Sequence, residues 1–163
     1  MLDRERMRWA AEELAPRLEG RRVAVAESCT IGLIAESLGA VEGASDWFLG
    51  GIVAYRSEVK FSLLGVPPGP VVNETVAQTM AQGTARLFDA DVTLATTGAA
   101  GPAGLDGAAP GTVCIGWCVD GTSGSITLRM DDDAPTVARA TVIMALTHLT
   151  AVLDAHKSSH HDD

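Results

Sequence analysis

Arg22-Val23-Ala24-Val25-Ala26-Glu27-Ser28-Cys29-Thr30, followed by residues 31–38, is the stretch on which the fold turns. Residues 22–26 read as a short buried strand, and residues 31–38 carry a helical apolar pattern. Ser28 therefore lies on a strand-to-helix turn, the basic unit of an α/β protein. Upstream, Met7, Ala10, Ala11, Leu14 and Leu18 recur at three- and four-residue spacing, which predicts a helix over 3–19. Downstream, residues 48–55 read as a second strand in which Gly50 and Gly51 permit a bulge or close backbone approach. A short helix over about 58–64 ends at Pro67-Pro68-Gly69-Pro70, and Asn73 can cap a helix running to about residue 88.

Residues 92–97 predict a third strand. Residues 98–111 hold five Gly, five Ala and two Pro and read as a loop. Strands over 112–119 and 125–130 flank Asp120-Gly121-Thr122-Ser123-Gly124, which predicts a hairpin with a loop longer than two residues. A closing helix over 134–153 is capped by one of Asp131, Asp132 and Asp133. The expected architecture is a three-layer α/β/α sandwich with a mixed, mostly parallel sheet of about five strands. Residues 1–155 read as one domain and 156–163 as a disordered tail, with no internal repeat or linker.

The chain has 163 residues, a formal charge of −9 and 47% hydrophobic residues, which excludes a largely disordered polymer. No apolar run approaches the roughly 20 residues needed to cross a bilayer. The charge-alternating start Met1-Leu2-Asp3-Arg4-Glu5-Arg6 is unlike a signal peptide, so a cytoplasmic location without membrane contact is expected. Residues 1–22 hold six basic residues interleaved with five acids. The remainder carries six basic against sixteen acidic residues, a net −10, which disfavours nucleic acid as a partner. A small molecule is the better expectation, and a homo-oligomer is compatible with the sequence. Three cysteines without metal spacing suit reduced thiols, with Cys114 and Cys118 on one face of a strand. All four histidines lie at or beyond residue 148, so no metal site is expected in the body of the chain, nor a histidine triad unless His148 folds back.

Chemistry then falls to a few residues. Ser28 reads either as an N-cap or as a nucleophile placed where backbone N–H groups meet a developing oxyanion. The only lysine outside the tail is Lys60. With Ser57 as cap it falls at the third position of its helix, where the dipole disfavours a cation and lowers its pKa toward that of a general base. A solvated surface lysine is the competing reading. Tyr55, the only tyrosine, is a proton relay or a residue closing the core edge. Glu27 positions Lys60 or binds a substrate hydroxyl, or else simply places a charge at a helix N-terminus. Cys29 is a rival nucleophile without a histidine partner. Thr96-Thr97-Gly98-Ala99-Ala100-Gly101-Pro102 can wrap a phosphate or a reacting amide, yet it is neither a Walker A motif nor a dinucleotide fingerprint.

Ala26-Glu27-Ser28-Cys29-Thr30, the strand Gly43-Ala44-Ser45-Asp46-Trp47-Phe48-Leu49-Gly50-Gly51-Ile52-Val53-Ala54-Tyr55, Leu64-Gly65-Val66, Thr97-Gly98-Ala99-Ala100-Gly101-Pro102 and Pro110-Gly111-Thr112-Val113 together resemble the CinA C-terminal domain family. Its stand-alone members include nicotinamide-nucleotide amidases. The resemblance runs from about residue 5 to 153. It implies hydrolysis of the carboxamide of nicotinamide mononucleotide to the acid and ammonia, without metal or cofactor. Ser28 would be the nucleophile, Lys60 the base and Tyr55 the supporting hydroxyl. Glu27, Cys29, Thr30, Thr97, Gly98 and Gly101 would contribute substrate or oxyanion contacts. Four positions depart from the family pattern. Ile31 stands for the first Gly of T-G-G, Ser57 for an Asn, Asn73 for a Ser, and Ala134 for the Arg of G-D-R. The alternative these departures support is a catalytically altered or inactive relative that binds a nucleotide-like ligand or a protein partner.

Overall fold

A computed structural model of the chain describes residues 1–160. Five strands form one sheet in the order β2-β1-β3-β4-β5: β1 Val23–Glu27, β2 Phe48–Val53, β3 Val92–Ala99, β4 Thr112–Val119 and β5 Thr122–Arg129. β1 pairs in parallel with β2 and β3, whereas β3–β4 and β4–β5 are antiparallel. Four of the five strands thus point the same way and β4 alone is reversed, giving the expected mixed five-stranded sheet, with its pairings divided evenly between parallel and antiparallel. Because β1 lies between β2 and β3, all five of its residues are buried, and its first four are small or β-branched.

The helices are α1 Leu2–Leu14, α2 Leu33–Gly39, α3 Ser57–Leu64, α4 Glu74–Phe88 and α5 Ala134–Ser159. One face of the sheet presents Val23, Val25, Val92, Leu94, Val113 and Ile115 to α1, α2 and α5. The other presents Ala24, Ala26, Ala95 and Cys118 to α3 and α4. The second face uses small residues because α4 lies almost on the strands. A Cβ added at Gly116 of β4 would strike the Ala77 backbone of α4. Asn73 caps α4 by accepting from Val76 N–H at 2.8 Å, and Asp133 caps α5 by accepting from Thr136 N–H at 2.9 Å.

Several boundaries differ from the sequence reading for physical reasons. α1 gives way after Leu14 to a 3-10 turn, Ala15–Arg17, at Pro16. The β4–β5 turn is only Asp120-Gly121, both with positive φ (49° and 83°), the geometry of a type I′ hairpin. Thr122, Ser123 and Gly124 belong to β5 instead of the loop. Gly124 serves packing there, since a Cβ on it would come within 2.5 Å of the Trp117 ring. β3 continues to Ala99, whose carbonyl accepts from Gly111 N–H at 2.8 Å, so Gly98 is strand and not loop. α5 continues through Ser159, overturning the tail reading for 156–159, and His156 contacts Asp120 at 3.0 Å. Residues 161–163 of the expected tail lie outside the described residues.

α5 is long and apolar enough to cross a membrane by length and composition. Its buried residues Val137, Thr141, Val142, Ala145, Leu146, Leu149 and Leu153 recur at helical spacing and pack into the core, as the long helix of a folded domain does.

Candidate active site

The strand order places a topological switch beside β1: the chain leaves β1 for β2 on one side, then crosses to β3 on the other. Crevices at the carboxyl ends of strands flanking such a point are the usual ligand sites of open α/β sheets. A cavity of about 960 Å³ opens there, with Ser28 in its lining. That is near the upper end of the roughly 300–1,000 Å³ typical of small-molecule pockets.

Ser28 follows the last residue of β1, and its N–H reaches across to the Thr96 carbonyl at 3.2 Å, the final rung between β1 and β3. The turn beyond it is held by Glu27. This carboxylate is 1% exposed and accepts from Thr30 Oγ1 at 2.6 Å, Ile34 N–H at 2.8 Å and Ala35 N–H at 3.0 Å. Thr30 Oγ1 also lies 2.9 Å from Thr96 Oγ1. Glu27 thus fixes the start of α2 and does not reach Lys60 or the cavity, so its expected contact with substrate is corrected to a structural one. Glu27→Gln replaces an acceptor by an NH₂ group facing donors and is expected to cost about 1–3 kcal/mol of stability, read as a lowered urea midpoint at unchanged m-value.

Lys60 comes from α3 on the opposite face. Its ammonium end lies 3.0 Å from Ser28 Oγ and donates to the carbonyls of Ala54 at 2.7 Å and Tyr55 at 3.1 Å. Lys60 is only 2% exposed, and burial pushes its pKa below the ordinary lysine value. Negative charge on Cys29 or Asp106 acts in the opposite direction. The helix begins one residue earlier than expected, with Arg56 as N-cap and Ser57 inside, so Lys60 is the fourth helical residue. Burial, rather than the helix terminus, is therefore the first cause of its shift. A neutral amine here has two N–H groups for the two carbonyls and one lone pair for the Ser28 hydroxyl. Among the described residues, no buried side-chain nitrogen or oxygen is without a partner.

The other predicted residues separate. Tyr55 lends Lys60 its backbone carbonyl, while its ring, 64% exposed, lines the cavity and its hydroxyl bonds to nothing among the described residues. Cys29 is buried and its thiol is pushed up to about 12 by desolvation, which keeps it protonated and a poor nucleophile near neutrality. Its Sγ packs against Gly98, where an added Cβ would come within 2.9 Å of it. Thr97 does not face the site, because its hydroxyl donates to the Val71 carbonyl at 2.7 Å. Gly98 and Gly101 both line the cavity. Thr96 carbonyl points toward β1 and Ala99 carbonyl toward β4. By strand alternation Gly98 turns its N–H toward the side that β1, ended at Glu27, leaves open. The N–H groups of Cys29 and Thr30 also have no carbonyl acceptor among the described residues.

Sequence reasoning placed Thr96 only in a candidate anion-wrapping segment, without its bonds to Ser28 and Thr30, and missed Asp106 and the two carbonyls that hold Lys60. Thr96 was legible in principle as the β3 residue one step past the end of the parallel pairing. Asp106 sits in an irregular loop at φ 51°, accepting from Val71 N–H at 3.1 Å, with no sequence signal to place it near Lys60.

The fold and this cleft define an α/β protein with a buried serine–lysine pair at the sheet's switch point. The family model of the CinA C-terminal domain matches residues 9–153, and the chain belongs to that family. A CinA-like protein of Mycobacterium tuberculosis (strain CDC 1551 / Oshkosh) is 40% identical over 149 residues, covering 87% of this chain and 35% of that protein. One from Mycobacterium avium (strain 104) is 50% identical over 104 residues, 60% of this chain and 24% of that protein. The chain thus spans about a quarter to a third of the length of these curated relatives. Among solved structures, the competence or damage-inducible protein from Enterobacter asburiae superposes with TM-score 0.86 at 33% identity, covering 90% of this chain and 98% of that one. A CinA superfamily protein from Klebsiella pneumoniae 700603 gives 0.87 at 30% identity, covering 91% and 98%.

Proposed function

We propose that the chain is an amidohydrolase in which Lys60 activates Ser28, acting on the carboxamide of nicotinamide mononucleotide to give nicotinate mononucleotide and ammonia. The observation that carries this reading is the buried Lys60 amine 3.0 Å from Ser28 Oγ, with its other two positions taken by backbone carbonyls. In this mechanism Ser28 Oγ attacks the amide carbon and its proton passes to Lys60 Nζ. The oxyanion of the tetrahedral intermediate is met by N–H groups among Cys29, Thr30 and Gly98. Collapse breaks the C–N bond, and Lys60 returns the proton to the leaving ammonia. Water then attacks the Ser28 ester, giving its proton to Lys60, and the acid leaves as Ser28 Oγ is reprotonated.

The mononucleotide's phosphate end is assigned to the rim of the cavity, where Arg56 and Arg139 lie. Arg56 pairs with Glu58 at 2.9 Å and Arg139 with Asp3 at 3.2 Å, so both guanidiniums are held but keep further donors. They stand in for the arginine that Ala134, itself in the cavity lining, replaces. No nucleic acid partner and no membrane contact form part of this reading.

Ammonia release from nicotinamide mononucleotide is the direct test. The wild type and Cys29→Ala are expected to turn the substrate over, since a thiol with a raised pKa is not the nucleophile. A folded wild type that binds the mononucleotide, shown by a raised Tm, without releasing ammonia would replace this reading by the ligand-binding one.

A further inference from the structure

We propose that Ile31 is a specificity-determining residue of this site, held in a strained backbone conformation so that its side chain presents an apolar wall to the acyl part of the amide. The inference rests on the amidohydrolase reading above. Among the described residues, four non-glycine residues have positive φ: Ile31 at 47°, Asp89 at 50°, Asp106 at 51° and Asp120 at 49°. Aspartate tolerates this region through local hydrogen bonding, but a β-branched side chain there is a true outlier.

Folding does not explain the isoleucine. Its side chain is 62% exposed, so little of the strain is offset by burial. The conformation itself is required by the turn, because Ile31 N–H donates to the Ser28 carbonyl at 3.2 Å and Gly32 continues with φ 86°. A glycine at 31 would satisfy that geometry without strain. What Ile31 does supply is position: three residues past Ser28, it lines the cavity together with Leu33, Phe61 and Leu105. Strain maintained beside a nucleophile by an exposed apolar group points to contact with the substrate. The matching chemistry is a flat or bulky apolar acyl group, such as the face of an aromatic heterocycle, in preference to a short aliphatic or polar amide.

Two fluorophosphonate probes, one with an aryl group and one with a short hydrophilic chain, test this on the full chain. In each, Ser28 Oγ forms a P–O bond, fluoride leaves from phosphorus, and the serine proton goes to Lys60. The measured quantity is the ratio of the second-order labelling rates, aryl over hydrophilic. Ile31→Gly and Ile31→Asn are expected to lower that ratio about tenfold, while Ile31→Val restores most of it. Ile31→Gly is also expected to raise Tm by about 3 °C, because relieved strain exceeds the added chain entropy. Labelling of Ser28 at an unchanged ratio in both variants would overturn the specificity role alone. No labelling of Ser28 in the folded wild type by either probe would overturn the serine–lysine reading and this inference with it.

Discussion

Ser28→Ala and Lys60→Met are each expected to reduce ammonia release from nicotinamide mononucleotide by about 10³-fold or more, with the double variant no slower than the poorer single one. Non-additivity follows from the geometry. The amine has no other reacting partner than Ser28 Oγ, and Ser28 has no other base within reach, because the thiol of Cys29 is neutral and Glu27 is fully engaged. Met is unbranched and one atom shorter than lysine, so it fills most of the same space without an amine and leaves the carbonyls of Ala54 and Tyr55 to be hydrated or re-paired, and the loss is chemical rather than steric. Stability should also depend on pH, and rise with it. The folded state binds the Lys60 proton more weakly than the unfolded chain does. The cost of burying the cation is therefore present in full below the lowered pKa and is relieved as pH rises from that value to the ordinary lysine value. Urea midpoints of the wild type should rise across that window, and those of Lys60→Met should lack the rise.

Gly83→Ala is the second large effect, and its sign opposes local propensity. Alanine in an exposed helix interior is better than glycine by about 1 kcal/mol. At Gly83 of α4, however, the added Cβ would collide with the Leu64 carbonyl, whose carbon would lie only 2.7 Å away. Leu64 ends α3, the helix that carries Lys60, and Gly65 turns the chain there with φ 72°. α3 must therefore move away from α4, at a net cost of about 2–3 kcal/mol and a fall in Tm of about 5–10 °C. The same displacement draws Lys60 from Ser28, and a shift near 1 Å costs up to about 10²-fold in turnover. Gly83→Ala should therefore be both less stable and less active, whereas a propensity-driven helix would become more stable.

Much of this arrangement is readable from the chain, and the failures have specific causes. The strand, turn and helix around Ser28 are legible because the four-residue apolar run Val23-Ala24-Val25-Ala26 meets a helical pattern at one polar turn. Lys60 stands out because lysine is otherwise absent from the body of the chain. Its burial could not be seen, since the α3–α4 approach that covers it depends on Gly83, a long-range packing choice. The hairpin turn was misread because Gly124 looks like a turn residue, while its role is to accommodate Trp117. Glu27 was misassigned for a related reason: a carboxylate beside a nucleophile suggests chemistry, but backbone N–H groups of Ile34 and Ala35 compete for it and win. Tyr55 contributes through its carbonyl, a role no side-chain pattern encodes. The left-handed conformation of Ile31 has no signal in its own residue type, and only its departure from the T-G-G pattern that the segment resembles hints at it.

The most direct measurement is the pH dependence of kcat/KM for ammonia release from nicotinamide mononucleotide, in wild type and Lys60→Met. A neutral, buried Lys60 acting as base predicts a rise with pH whose midpoint lies below the ordinary lysine value, and the loss of that rise in Lys60→Met. A wild-type profile with its midpoint at the ordinary lysine value, or the same rise persisting in Lys60→Met, would contradict a buried lysine base acting on Ser28.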